Sequence, residues 1–366
     1  MVRGVDPCRS TAATHAPPPY RPASPLELLP PCAIASTRIV ALSSGDILSD
    51  RYRLLERLGR GGMADVWSAS DLSTGAEVAV KIMQPRAARD PELVERMHRE
   101  ARTAGAIHSP FVCELLGSGS VGGRPFLVFE RLRGESLAAL LARETSLPFS
   151  EVGGVVDNVL EGLSAAHGAG VIHRDLSLAN VFLEDIGGRR RRARIIDFGV
   201  SKDTGESTLT RANALIGTYH FMAPEQAKGA RDVDERADIY AVGVIAFRAL
   251  AGRLPFESTN PTAVLALKAN REPPTLGEVT HEVWPADLER FLQTMLARRR
   301  EQRFPSAFSA LLAWRVIVNK TTLARERGAR ASQSPESPPK QEDTRTETMT
   351  VAGPPRPPRP STSRRK

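Results

Sequence analysis

Two motifs in the first third of the chain contain residue types that bind phosphate. Residues 58–66 read LGRGGMADV, and glycines let a backbone turn tightly enough for its amides to face phosphate oxygens. Residues 78–81 read VAVK, a short apolar run that ends in Lys81. This ammonium could hold a phosphate as a point charge if a carboxylate, such as Glu100 on the following helix, paired with it. Alone, the two motifs also fit a plain hairpin and a strand lysine that reaches solvent.

Three further motifs add groups suited to metal binding and proton transfer. A His-Arg-Asp motif ends in Asp175 and is followed by Asn180, Asp197 opens an Asp-Phe-Gly motif, and an Ala-Pro-Glu motif ends in Glu225. Asn180 and Asp197 offer the hard oxygen ligands that Mg²⁺ prefers. Each acid alone could be a turn residue or a helix cap. Five motifs in one order are far more specific, because the odds of chance matches multiply.

The motifs lie in two regions of different periodicity. The first region alternates short β-type runs with turns and contains one helical stretch, whereas helical patterns dominate from residue 136 onward. This predicts a small mostly-β unit and a larger mostly-α unit, with the functional site in the cleft between them. The β-type runs are residues 52–58, 64–70, 77–83 and 126–129, and the helical patterns are 91–107, 152–166, 239–250 and 286–297.

In this arrangement, residues 52–314 resemble the eukaryotic-like (Hanks-type) protein kinases, and in particular their bacterial serine/threonine members. The runs Gly-Gly-Met-Ala-Asp-Val and Met-Ala-Pro-Glu-Gln-Ala are similar to bacterial sequences. The resemblance implies an α+β, bilobed protein-kinase-like fold over residues 51–320, with an N-lobe at 51–132 and a C-lobe at 133–320. It also implies transfer of the ATP γ-phosphoryl group to protein serine or threonine hydroxyls, with Mg²⁺ or Mn²⁺ as cofactor.

The resemblance assigns a role to each motif residue. Asp175 is expected to accept the proton of the substrate hydroxyl, Lys81 to hold the ATP phosphates while paired with Glu100, and Asn180 and Asp197 to bind the metal ions. Glu225 pairing with Arg303, and Asp238 bracing the catalytic loop, are expected to be structural. The residues expected to bind the nucleotide are Leu58, Gly59, Gly61, Gly62, Ala64, Val66, Ala79, Lys81, Phe129, Glu130 and Leu132.

Two positions depart from the family pattern. Ser177 stands where these kinases usually carry a lysine that neutralises the transferring phosphoryl group, and losing one such group typically costs about 10²–10³ in rate. Ala64 replaces the third glycine of the glycine-rich loop. These departures keep open an alternative function, a pseudokinase or scaffold that binds nucleotide and signals by contact.

The stretch between Asp197 and Glu225 is polar and rich in Gly, Ser and Thr, as in an activation loop. Thr208 and Thr210 are the preferred candidates for regulatory phosphorylation, because phosphate adds charge and acceptors that an arginine such as Arg174 can hold bidentately. We therefore expect regulation by autophosphorylation, with self-association of the kinase for phosphorylation in trans.

Composition limits the remaining possibilities. The chain has 366 residues, a formal net charge of +8 and three scattered cysteines, so a disulfide framework is not expected. Of its 28 prolines, 8 lie in residues 1–50 and 8 in residues 331–366, and these ends have almost no aromatic residues. We expect disordered Pro-rich tails at 1–50 and 321–366, because such segments bury too little apolar surface to offset their ordering entropy.

The expected partners are protein substrates and, for the run PPRPPRP at residues 354–360, a domain that binds polyproline II helices. No segment is long and apolar enough to cross a bilayer, and basic residues are not interleaved with aromatic ones. We therefore expect neither membrane nor nucleic-acid binding. The expected location is the cytoplasm, with input from a soluble partner or from trans-phosphorylation.

Overall fold

The computed structural model describes residues 42–188, 190–198, 218–227 and 233–332. Within these residues, a sheet-rich N-terminal lobe is followed by a helical C-terminal lobe, as the sequence predicted. The strands are β1 Ile47–Leu48, β2 Tyr52–Arg60, β3 Ala64–Asp71, β4 Glu77–Met83, β5 Leu115–Val121, β6 Arg124–Glu130, β7 Gly134–Ser136, β8 Val181–Asp185 and β9 Arg191–Ile195. The helices are α1 Pro91–Gly105, α2 Leu137–Arg143, α3 Phe149–Gly168, α4 Pro224–Ala227, α5 Arg236–Ala251, α6 Pro261–Asn270, α7 Leu276–Thr280, α8 Ala286–Met295 and α9 Ala307–Ser332.

The N-terminal sheet is antiparallel, in the order β1-β2-β3-β4-β6-β5. Strand β4 shows how its sequence sorts side chains between the two faces. Val78, Val80 and Ile82 are at most 2% exposed and pack into one core cluster. Because side chains alternate along a strand, Ala79 and Lys81 project from the opposite face. The three-residue apolar run therefore places Lys81 away from that cluster.

Helix α1 packs against the opposite side of this sheet. It begins at the N-cap Asp90, whose side chain accepts a hydrogen bond from the Glu92 amide, and Pro91 occupies its first turn. Its buried residues are Met97, Glu100, Ala101 and Ala104, spaced three or four apart as on one helix face. Glu100 is thereby carried toward the sheet and is only 6% exposed.

The C-terminal lobe is built around α5, most of which is buried. Helix α3 packs against α5 and β9, and a second sheet, in the order β7-β8-β9, lies beside α2. Trp314 of α9 is fully buried, and its indole N–H donates to the Gly153 carbonyl of α3 at 3.0 Å. None of the described helices is long and apolar enough to span a bilayer.

The folded region extends beyond the N-terminal boundary expected from composition. Strand β1 lies before residue 51, where Leu48 is fully buried against β2. A two-residue strand leaves almost no periodic signal in the sequence, so proline content alone placed the N-terminal boundary too late. At the other end, the first compact unit ends at Thr321, close to the expected boundary at residue 320, and α9 itself continues to Ser332.

Candidate active site

The ammonium group of Lys81 joins two carboxylates. Its Nζ lies 2.7 Å from Oε1 of Glu100 and 2.8 Å from Oδ1 of Asp197. Burial alone would lower the pKa of the Lys81 ammonium, but the charges of Asp197 and Glu100 outweigh it and hold the pKa above its ordinary value. Lys81 is therefore a fixed positive charge at neutral pH. The pairing of Lys81 with Glu100 predicted from sequence is present.

Asp197 follows β9 in a left-handed backbone conformation with φ of 54°. Such a conformation is uncommon outside glycine and turns the side chain out of the strand direction. Its neighbours hold the turn in place. The Ile196 amide donates to the Asn180 carbonyl at 2.9 Å, and the Phe198 ring lies 4.8 Å from that of His173. The Asp197 side chain itself is 48% exposed, so part of its carboxylate remains accessible.

The loop that carries Asp175 and Asn180 is tied together internally. The side-chain amide of Asn180 donates to the Asp175 carbonyl at 2.8 Å, and its backbone N–H donates to the Ser177 carbonyl at 3.1 Å. With its NH₂ used in this way, the Asn180 side chain keeps its carbonyl oxygen for another partner. Asn180 thus links Asp175 to the turn that ends in Asp197.

Asp238 of α5 supports the loop from beneath. Its carboxylate is 1% exposed and accepts hydrogen bonds from the amides of His173 and Arg174, both at 2.8 Å, and contacts Nε2 of His167 at 2.9 Å. Burial favours the neutral acid, but the contacts with His167 and His173 outweigh it, and the pKa of Asp238 is lowered. Asp238 therefore braces the loop that carries Asp175, the contact that the resemblance implied.

The glycine-rich turn lies between β2 and β3. Gly59, Gly61 and Gly62 are exposed, and the Gly61 amide donates to the Ala64 carbonyl at 2.9 Å. Gln84, which the sequence analysis did not single out, donates to the Gly61 carbonyl at 2.7 Å and to Asp65 at 2.9 Å. Leu58 is 38% exposed at the start of the turn. The turn therefore keeps an open face while Gln84 anchors its base.

The methyl group of Ala64 explains one departure from the family pattern. Ala64 is 6% exposed and belongs to the cluster that contains Met83 of β4 and Met97 of α1. A glycine would leave this contact empty. Val66, two residues on, pairs in register with Lys81 across the sheet.

The expected adenine-binding residues are adjacent on neighbouring strands. Ala79 pairs with Phe129, Val78 pairs with Glu130, and Leu132 follows as a buried residue. Arg194 of β9, which no motif revealed, donates to the Glu130 carboxylate at 2.8 and 2.5 Å and to the Val112 carbonyl. This buried arginine ties the end of β6 to the strand that leads to Asp197.

The oxygen donors of this site fit a divalent cation that is held jointly with phosphates. Asn180 keeps its side-chain oxygen, and Asp197 is half exposed. Among the described residues there is no group of three or more acidic, histidine or cysteine side chains that could hold a metal alone. One carboxylate plus substrate phosphates is the set typical of Mg²⁺, which keeps several waters and rarely occupies an all-protein cage.

A second group of contacts surrounds the Ala-Pro-Glu motif. Glu225 receives two hydrogen bonds from Arg303, at 2.7 and 2.8 Å, so the predicted structural pair is present. Gln226 donates to the Arg174 carbonyl at 2.8 Å, and Lys268 donates to three carbonyls of residues 219–222. The sequence analysis quoted Gln226 only as part of the Met-Ala-Pro-Glu-Gln-Ala run and gave it no role, and it missed Lys268, which belongs to no motif. Thr208 and Thr210 lie outside the described residues.

Comparison with known proteins agrees with this geometry. Residues 52–313 match the model of the protein kinase domain family. The chain is 39% identical over 256 residues to the serine/threonine-protein kinase Pkn1 of Myxococcus xanthus, covering 70% of this chain and 36% of that protein. It is 34% identical over 267 residues to PknB of Mycobacterium tuberculosis, covering 71% and 42%.

A solved structure shows the same likeness. The crystal structure of the PknI kinase domain of Mycobacterium tuberculosis superposes with a TM-score of 0.58 at 27% identity, covering 75% of this chain and 99% of that one. The chain spans well under two thirds of the length of the curated relatives that it matches.

Proposed function

This chain belongs to the protein kinase family, and we propose that it is a serine/threonine kinase that transfers the γ-phosphoryl group of ATP to protein hydroxyls. One observation carries the proposal: Lys81 is bound at once to Glu100 and to Asp197, at 2.7 and 2.8 Å. This contact joins a charge suited to ATP phosphates with a carboxylate suited to metal binding. An inactive arrangement in which Glu100 had moved away would lack it.

In the proposed reaction each residue has a separate task. Lys81 attracts and orients the phosphates, and the exposed face of the glycine-rich turn covers them. Asp175 accepts the proton of the attacking serine or threonine hydroxyl. Asn180 and Asp197 hold the divalent cation, Mg²⁺ or Mn²⁺, which when bound offsets the negative charge of the phosphates. The register of β4 and β6 supports placing adenine against Ala79 and the backbone of Glu130 and Leu132.

Ser177 supports one competing function. It is 7% exposed and cannot supply the charge that a lysine would bring to the transferring group. A pseudokinase that binds ATP without transferring phosphate remains the alternative on this ground. The intact set of Lys81, Asp175, Asn180 and Asp197 favours the active kinase.

An in vitro assay of the full chain tests the proposal. Purified protein, labelled ATP and Mg²⁺ or Mn²⁺ are incubated with casein as a generic acceptor, beside the Asp175→Asn variant. We expect label on protein serine or threonine that falls by at least about 10²-fold in the variant, since general-base catalysis contributes roughly 10²–10⁴. Asp185→Asn, an isosteric change at a 64% exposed side chain on the β8–β9 hairpin, is the matched control and should keep full activity.

Two outcomes would contradict the proposed mechanism. Undiminished labelling by Asp175→Asn would show that Asp175 does not accept the proton of the substrate hydroxyl. ATP-dependent thermal stabilisation of the wild-type chain without any phosphorylation would favour the pseudokinase.

We further propose regulation by autophosphorylation of Thr208 or Thr210, through self-association of the kinase in the cytoplasm. A partner that binds the C-terminal polyproline run would provide a route for input. The support is the polar composition of residues 199–217 and the position of Arg174 directly before Asp175. Phosphosite mapping after incubation with ATP, with Asp175→Asn and the double Thr→Ala variant in parallel, tests this. Label confined to other residues would refute the assignment.

A further inference from the structure

Lys268 of α6 is a buried charge for which the proposed chemistry has no use. The residue is 1% exposed, and its ammonium donates to the carbonyls of Tyr219 at 3.0 Å, His220 at 2.6 Å and Met222 at 2.7 Å. No carboxylate is among the described groups that influence its ionisation. Burying an ammonium group away from an opposite charge is costly unless its donors are satisfied. The three carbonyls are therefore its principal partners.

These carbonyls belong to residues 218–222, the segment that borders the proposed catalytic base. Phe221 and Met222 line one small cavity together with Asp175. The segment is also tied to the catalytic loop, since Gln226 accepts from the Ala223 amide at 2.9 Å and donates to the Arg174 carbonyl at 2.8 Å. Because Phe221 and Met222 line this cavity together with Asp175, we expect a polypeptide whose hydroxyl reaches Asp175 to lie beside this segment.

The convergence of the carbonyls makes the segment dependent on α6. Three carbonyl dipoles that point at one buried position repel each other unless a donor lies between them. Lysine offers three N–H donors on a compact cation, one for each carbonyl. The backbone shape of residues 218–222 therefore requires Lys268 or an equivalent donor.

We propose that Lys268 is a positioning residue for the protein substrate, whose ammonium group holds residues 218–222 in the conformation against which the acceptor peptide binds. The inference rests on the proposed kinase activity, which it extends from the nucleotide to the acceptor. Lys268 touches neither ATP-binding residues nor Asp175, so its effect is confined to the acceptor side of the reaction.

The groups around Lys268 come from four elements. His220 belongs to the held segment, and Tyr240 of α5 presents its ring 5.2 Å from the Lys268 Nζ. Arg303 lies 4.9 Å from the same ring and is bound to Glu225 of α4. Burial, together with the charge of Arg303, lowers the pKa of Lys268 to about 7. The ammonium is thus charged below about pH 7 and loses its third donor above it.

Steady-state kinetics of the full chain test the proposal. Lys268→Met keeps the length of the side chain without donors, and Lys268→Gln keeps two donors without charge. With casein as acceptor, we expect KM for casein to rise about tenfold in the Met variant and less in the Gln variant, as expected for lost hydrogen bonds. KM for ATP should stay unchanged. Lys320→Met, at a 65% exposed side chain of α9, is the matched control and should behave as wild type.

Hydrogen exchange read by mass spectrometry separates this inference from the proposed activity. Amides of residues 218–223 should exchange about tenfold faster in Lys268→Met, whether or not the protein phosphorylates casein. If the wild type does not phosphorylate casein but Lys268→Met still exchanges faster than the wild type, the kinase proposal is refuted. The role of Lys268 in holding the segment is then still supported. Unchanged exchange would overturn the inference, and so would equal increases of KM for casein and for ATP, which indicate a general structural defect.

A pH profile gives a readout that a passive packing role would not move. Between pH 6.5 and 8.5, KM for casein should rise with pH in the wild type, since the neutral amine has two N–H groups for three carbonyls. In Lys268→Met, which lacks the amine, KM for casein should not change with pH over this range. His220 does not contribute in this window, because burial lowers its pKa below the ordinary 6.5. The same slope in both proteins would count against the inference.

Discussion

Replacing Asp238 with asparagine tests how the catalytic loop is held. The Asp238 carboxylate is 1% exposed and accepts from the backbone amides of His173 and Arg174, with His167 as its third partner. Asparagine has one acceptor oxygen in place of two, so at least one of these N–H groups must face the new NH₂.

The expected loss follows from these contacts. Hydrogen bonds to a charged group contribute about 1.5–3 kcal/mol, and the bonds that survive become weaker neutral ones. We expect Asp238→Asn to lower the free energy of unfolding by about 3–5 kcal/mol, the usual range for removing one partner from a buried charged contact. Because the Arg174 amide directly precedes Asp175, we also expect kcat to fall while KM for ATP stays near its wild-type value.

Urea unfolding of the full chain at pH 7 provides the measurement, with ATP-dependent thermal stabilisation as a check that the nucleotide site persists. Asp287→Asn is the control, since Asp287 pairs with Lys320 at the surface and such pairs contribute roughly 0–1 kcal/mol. The pKa of Asp238 is lowered in the folded protein, so its stabilisation is present at neutral pH and is lost as pH falls through the lowered value. The variant should lack that part of the acid sensitivity. A loss below about 1 kcal/mol would refute the argument that this carboxylate holds the loop.

Three other substitutions or reactions give independent tests. Glu225→Gln should lower the unfolding free energy by about 2–3 kcal/mol, because the fully buried Arg303 side chain loses its charged partner; an effect below about 0.5 kcal/mol in urea would contradict this. Lys81→Met should reduce phosphate transfer by at least about 10²-fold in steady-state assays, and a change within tenfold would remove Lys81 from the reaction. Burial and the charge of Glu130 raise the pKa of the Cys113 thiol, so peptide mapping after treatment with a thiol reagent at pH 8 should find Cys113 unlabelled in the folded chain and labelled in urea.

The pairing of Lys81 with Glu100 could be predicted from sequence because its signals are local. Alternation along β4 places Lys81 on the face opposite Val78 and Val80, and three-to-four spacing on α1 carries Glu100 inward. The order of the motifs then identified Asp175 and Asp197. These features need only neighbouring residues, which is why β2, β3, β4, β6 and α1 were found within a few residues of their observed ends, whereas β1, β5 and β7 were missed.

The supporting contacts could not be predicted because their partners are remote in sequence. Lys268 binds backbone carbonyls nearly fifty positions away, and Gln84 binds the Gly61 carbonyl. Backbone acceptors have no residue type, so no motif can mark them. The burial of Arg194 was not predicted for a different reason, since a basic residue in a strand usually indicates an exposed position. In the structure, a bidentate contact with the Glu130 carboxylate offsets the cost of burying its guanidinium group.

If the chain binds nucleotide as proposed, the two ion pairs of Lys81 differ in how easily they would separate when the cleft opens. Glu100 is nearly buried and lies in the same lobe as Lys81, whereas Asp197 is 48% exposed and lies on the other side of the cleft. Because Asp197 is partly exposed, solvent screens its contact with Lys81 more than it screens the buried pair of Lys81 and Glu100. We therefore expect opening of the cleft to separate Lys81 from Asp197 and to leave the pair of Lys81 and Glu100 intact. In the proposed kinase, Lys81 would then keep its orientation toward the phosphate site while one ATP molecule replaces another.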